Sequence, residues 1–155
     1  MPTLGQHVLY VAHLILTSGL FAQLEIQIEG PEGWAANLPT WKIENQWTRL
    51  FFSEKPLTGY HTFLITFMIT VVHIPYALGM ATFSLGAEMR ILSFFVLFSI
   101  VEDFLWFVMN PDFGLKRFKR EHIWWHAPKW WWIMPRDYCL FLPVGIGLYV
   151  GSWLL

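Results

Sequence analysis

The 155 residues are 55% hydrophobic and 14% charged, with a net charge of −1 and a mean hydropathy of +0.45. Soluble domains carry about 25% charged residues, so this balance argues against an ordinary soluble globule. The near-neutral charge also argues against a nucleic-acid binder. One cysteine, Cys139, excludes an internal disulfide framework and a cysteine-only metal cage. The pattern predicts an all-α integral membrane protein, a single domain over residues 1–155, with about four transmembrane helices and two amphipathic interfacial segments.

The first span is expected over about residues 5–28, near the ~20 apolar residues that a bilayer requires. It lacks a Lys/Arg-rich leader and is read as uncleaved, although Leu20-Phe21-Ala22 loosely resembles a cleavage site. At about 100° per residue, Tyr10, His13, Thr17 and Glu25 share a face roughly 120° wide. Gly30-Pro31-Glu32-Gly33 is turn chemistry, with Glu29 and Glu32 expected in water. Between about 40 and 52, Ile43, Trp47, Leu50 and Phe51 recur at helical spacing opposite Lys42, Glu44, Asn45, Gln46 and Arg49. That pattern predicts a helix lying flat on a membrane.

The second span is expected over about 57–85, with Thr62, Thr66, Thr70 and His73 inside an arc of about 80°. The third is expected over about 90–109 and stops at Asn110-Pro111, where proline disfavours continued helix. Its stripe of Ser99, Glu102, Asp103, Trp106 and Asn110 covers about 100°. Residues 113–135 are amphipathic, with a basic run from Lys116 to Arg120 and the tryptophans Trp124, Trp125, Trp130, Trp131 and Trp132. Pro128 should divide this segment, and the Trp130–Trp132 run is expected to anchor at the interface. The last span, about 138–155, carries Gly147 and Gly151, a spacing suited to close helix contact within a homo-oligomer or a larger membrane complex.

The two long connections hold nine of the ten Lys and Arg residues, all but Arg90. Basic residues beside spans are retained in the cytoplasm, which predicts cytoplasmic loops and both termini outside. Membrane lipids are the expected surroundings and partners; nucleic acid is not.

Ionisable groups within spans are costly and are functional candidates by default. The three polar stripes are expected to turn toward one another. By helical rise, His13, His73 and Glu102 are placed near the midplane, and Glu25, His61, His122 and His126 near the cytoplasmic face. His122 and His126, four apart, share one face if helical and suit a single ion. The leading expectation is a membrane metalloenzyme acting on a lipid or another apolar substrate, using divalent zinc or iron. Its ligands would be Glu102, His122 and His126, completed by His73 or Glu25. Asp103, Glu102 and His61 are the expected catalytic acids and bases. One alternative is a non-catalytic subunit binding haem, pigment or quinone, with His13 and His73 as paired haem ligands. A second is a small proton or cation transporter.

Overall fold

The computed structural model describes residues 2–51 and 55–155, and of residues 49–51 the backbone. The fold is mostly helical: α1 (Leu4–Glu29), α2 (Gln46–Phe51), α3 (Gly59–Val72), α4 (Ile74–Ala77), α5 (Leu85–Met109), α6 (Gly114–Arg117) and α7 (Arg136–Gly151). Local chemistry sets the long helix ends. Thr3 and Gln6 form a capping box at the start of α1, and Ser84 accepts from the Ala87 amide at the start of α5. Asn110 closes α5 ahead of Pro111; its side-chain amide donates to Gly30 O at 3.2 Å, tying the end of α5 to the end of α1.

Helices α1 and α5 are long and apolar enough to cross a membrane. Only 17% of the most apolar window of α1 and 33% of that of α5 is buried, so the chain itself does not cover them as it would the core helices of a soluble protein. Leu4, Leu9, Leu16 and Leu20 of α1 all lie open on the outer surface.

The second apolar segment departs from the expected helix over 57–85. Helix α3 ends at His73, four-residue α4 follows, and turns lead to Ser84. Pro75 explains the break, because it has no N–H to offer the Val71 carbonyl and its ring crowds that carbonyl. The last helix runs from Arg136 to Gly151, with Pro143 inside it.

The helices alternate in direction. Going up α1 and α5 together, Tyr10 Oη meets Ser93 Oγ at 2.9 Å, and Ser18 Oγ donates to Phe98 O at 3.4 Å. Helix α7 runs the other way along α5, from Tyr138 beside Asp103 through Gly145 beside Leu97 to the Ser152 cap beside Arg90. Tyr60 and His73 at the two ends of α3 bond Glu25 and Glu88, so α3 also opposes α1 and α5. His7 Nδ1 lies 2.6 Å from Tyr149 Oη, so the start of α1 and the end of α7 meet at one end of the bundle. Both long connections fold over the opposite end.

Those connections are compact but not the expected surface helices. In the first, among the described residues, helix is confined to α2, after a two-residue strand β1 (Lys42–Ile43) that pairs with β2 (Leu57–Thr58) in the register Lys42↔Thr58 and Ile43↔Leu57. Phe52 of the predicted helix lies outside the described residues. In the second, α6 is followed by turns, a 3-10 turn at Ala127–Lys129, and a hairpin of β3 (Trp130–Trp131) and β4 (Met134–Pro135). Trp132 at the hairpin tip is 91% exposed and so stands clear of the fold.

Two apolar clusters hold the bundle. Leu14, Met68, Leu97 and Phe98 pack between the helices, and Ala22, Ile26, Trp106, Phe107, Ile123 and Trp125 pack where the second connection closes over α1 and α5. The α7 glycine packed against a branched side chain of α5 is Gly145, which spacing did not single out. A Cβ on Gly145 would lie 2.6 Å from Leu97 Cδ2, whereas one on Gly147 meets nothing within 4 Å. One on Gly151 meets only the mobile end of Met89, at 2.6 Å. Gly145→Val is therefore expected to destabilise the protein by about 1–3 kcal/mol through overpacking, and Gly147→Ala to change it by no more than about 0.5 kcal/mol. Thermal unfolding in detergent checks both; equal effects would contradict this packing.

Candidate functional site

Beneath the two connections lies a cavity of about 240 Å³. One end is ionisable. Glu25 and Glu29 come from the last two turns of α1, His61 from the first turn of α3, Glu102 and Asp103 from α5, His126 and Lys55 from the connections, and Tyr138 from α7. The other end is apolar, lined by Phe21, Leu64, Met68, Phe95, Phe98 and Phe141. Helix direction makes this a gradient: Phe95 lies two turns before Glu102, about 10 Å deeper into the bundle.

Helical spacing explains why the acids converge. Glu25 and Glu29 are four residues apart on one face of α1 and are both buried, as is Glu102 on the facing side of α5. The carboxyl groups of Glu25 and Glu102 line the same end of the cavity, where two like charges oppose each other. Tyr60 Oη donates to Glu25 Oε1 at 3.2 Å. Glu102 Oε1 and Trp106 Nε1 are buried, and neither has a partner among the described residues.

A second group sits beside the first. Asp103 Oδ2 lies 3.1 Å from His126 Nε2 and accepts the Tyr138 hydroxyl at 2.5 Å. A neutral His126 with its proton on Nε2 satisfies that carboxylate. Burial holds the His126 imidazole below its ordinary value of 6.5, with Lys55 adding to the depression and Asp103 and Asp137 opposing it. The neutral form is therefore the one the fold favours. Its contribution is fully present above about pH 6.5 and is lost as pH falls below that value toward the folded-state pKa. Acidification should then lower stability by up to about 1.4 kcal/mol per pH unit from this group. His126→Gln should flatten that limb of a stability-against-pH curve; an unchanged slope between pH 6.5 and 5 would contradict the assignment.

The third group closes the cavity. Trp34 stacks on His61, with ring centroids 4.0 Å apart and 18° between planes, and Lys55 Nζ lies 4.2 Å from the centre of the same indole. Burial pushes the Lys55 ammonium below its usual range, with Arg136 reinforcing and Asp103 and Asp137 opposing. Thr58 Oγ1 accepts the His61 amide and lies 2.7 Å from His61 Nδ1. His61 Nε2 lies 3.5 Å from Glu29 Oε1. The turn feeding Trp34 is strained: Trp34 and Ala35 adopt φ of 47° and 50°, an arrangement that costs about 1–2 kcal/mol per residue. Glu29 Oε1 accepts the Ala35 amide at 2.6 Å and fixes it. At Gly33, with φ +64°, a Cβ would fall 2.6 Å from the Trp125 ring, so the two connections interlock across this glycine.

Of the residues singled out from sequence, Glu25, His61, Glu102, Asp103 and His126 line this cavity. His122 does not. It is exposed in a turn while His126 is buried, because residues 121–126 are not helical and the four-residue spacing does not put both rings on one face. His73 lies at the far end of α3, where Nδ1 is 2.6 Å from Ile69 O and Nε2 is 3.1 Å from Glu88 Oε1. His13 is exposed on α1 against the ring of Phe94. Thr62, Thr66 and Thr70 each return a hydroxyl to the carbonyl four residues back, and the latter two are exposed. The stripe on α3 is thus satisfied by its own helix.

The residues that sequence reasoning missed are Glu29, Lys55, Tyr138 and Trp34. Glu29, expected in water, is 8% exposed, and its distance of four residues from Glu25 was the available signal. Among the described residues no group of three or more His, Cys, Asp or Glu is arranged to hold a metal ion.

These features define a mostly helical protein with two helices able to cross a bilayer and a cavity that is ionisable at one end and apolar at the other. No family model, curated protein or solved structure matches the chain.

Proposed function

We propose that this chain is a four-span membrane enzyme that receives an amphiphile, head among the ionisable groups and tail toward the bilayer centre, and carries out acid–base chemistry on the head. Helices α1, α3 with α4, α5 and α7 are the spans, with the two basic connections cytoplasmic and the termini outside. The exposed Trp132 and Ile133 then sit at headgroup level. The observation that carries the reading is the polarity gradient within one cavity whose walls are helices with apolar outer faces.

The chemistry is assigned to side chains. Asp103 holds the neutral tautomer of His126 and orients it, leaving Nδ1 to take a proton from a bound head. Tyr138, bonded to the same carboxylate, is the positioned hydroxyl. The Glu25–Glu102 pair holds a second proton within the cavity. Positioned acid–base groups typically contribute 10²–10⁴-fold. Incubating the purified full chain with total membrane lipid and following products by mass spectrometry tests this. A lipid species should be converted by the natural protein, and conversion should fall about 100-fold or more in Asp103→Asn. Identical product profiles with and without the protein would defeat the catalytic assignment.

A further inference from the structure

The cavity has more acid than it can keep ionised. Glu25, Glu29, Glu102 and Asp103 face Lys55, while Arg136 is bonded to Asp137 at 3.0 Å. Like charges so close oppose one another, and one shared proton would relieve that restraint only in part. A cationic guest relieves it more completely.

Two buried atoms also wait for partners. Glu102 is 8% exposed and Trp106 is 3% exposed, and both line the cavity. Among the described residues Glu102 Oε1 and Trp106 Nε1 have no hydrogen-bond partner, although buried polar atoms are overwhelmingly paired. The indole N–H needs an acceptor, and the carboxyl oxygen is best matched by a donor. The aromatic walls Trp34, Trp106 and Trp125 also suit a cation, whose attraction to ring faces strengthens when water is excluded.

We infer that the occupant is an amphiphile whose head carries a protonated amine next to an oxygen acceptor, the amine directed to Glu102 and the oxygen to the Trp106 indole. The inference rests on the amphiphile reading above and narrows it to one head chemistry. A fatty acid head is disfavoured because it would add a further acid to Glu25, Glu29, Glu102 and Asp103.

Equilibrium binding of three radiolabelled probes to the full chain in lipid nanodiscs at pH 7 tests this. The probes are 2-aminohexadecan-1-ol, hexadecan-1-ol and hexadecanoic acid, which share chain length and differ in the head. The amino alcohol should bind at least about ten-fold more tightly than either of the others, as expected for a charge-assisted contact. Glu102→Gln should remove most of that preference. Should that variant not fold, Trp106→Phe, which keeps an aromatic ring and removes the N–H, should weaken amino-alcohol binding several-fold. Alcohol or acid binding as tight as the amine overturns the head assignment and leaves the amphiphile reading standing. Retention of none of the three removes the amphiphile reading itself.

Discussion

Trp125→Ala is expected to destabilise the protein by about 3–5 kcal/mol, the usual cost of removing a large buried aromatic. Trp125 is 3% exposed and lies where the second connection meets α5 and the first connection. Its ring stacks on Phe107 at 5.6 Å and 17°, and meets Trp106 edge-on at 5.8 Å and 86°. Gly33 packs directly against its far edge. Alanine would leave a void that Phe107 and Ile123, both fully buried, cannot fill without moving the backbone. The neighbouring residue is His126, so the same change should loosen the imidazole from Asp103. Thermal unfolding in detergent measures the first effect, and the loss of the His126 contribution to the pH dependence measures the second. A cost below about 1 kcal/mol would mean that the connection does not pack as described.

Asp103→Ala is expected to cost about 2–4 kcal/mol, because it strands two buried partners at once. Hydrogen bonds to a charged group contribute about 1.5–3 kcal/mol each, and Asp103 accepts from both His126 and Tyr138. Its side chain is 30% exposed toward the cavity, which screens part of this. Asp103→Asn keeps one acceptor oxygen and should cost about half as much. The pair of substitutions separates stability from chemistry: asparagine should leave most of the fold intact while removing the group that fixes the His126 tautomer. Equal destabilisation by the two variants in chemical unfolding would argue that neither bond is formed.

The parts legible in the sequence were those where one physical rule acts alone. Helices α1 and α5 follow from long apolar runs, and their ends from Asn110-Pro111 and the Gly30 turn. Glu25, Glu102 and Asp103 stood out because acids within apolar runs have no cheap place to go. Where two rules compete, the sequence was ambiguous. The apolar run after His73 continues, but Pro75 withdraws a backbone donor and the helix stops. His122 and His126 have the spacing of a helix face in a segment that folds as turns. Lys55, Trp34 and Glu29 lie in or beside polar turns that resemble solvated loops. Only the closure of those loops over the bundle buries them, and nothing local to residues 29–35 announces that closure.

The metal centre expected from sequence illustrates the same limit. Its proposed ligands lie far apart along the chain, and whether they meet depends on side-chain partners as much as on position. Three of the five, Glu25, Glu102 and His126, line one cavity, where Glu25 accepts from Tyr60 and His126 bonds Asp103, while His73 and His122 lie elsewhere.

The most direct test is photolabelling in nanodiscs with an amphiphile carrying a diazirine a few carbons below its head, followed by peptide mapping. The internal cavity predicts labels on Leu64, Met68 and Phe98, suppressed by excess unlabelled amphiphile and abolished by filling the space with Met68→Trp. Labels confined to outward residues such as Phe63, Phe67 and Leu20, insensitive to competitor and to Met68→Trp, would contradict it.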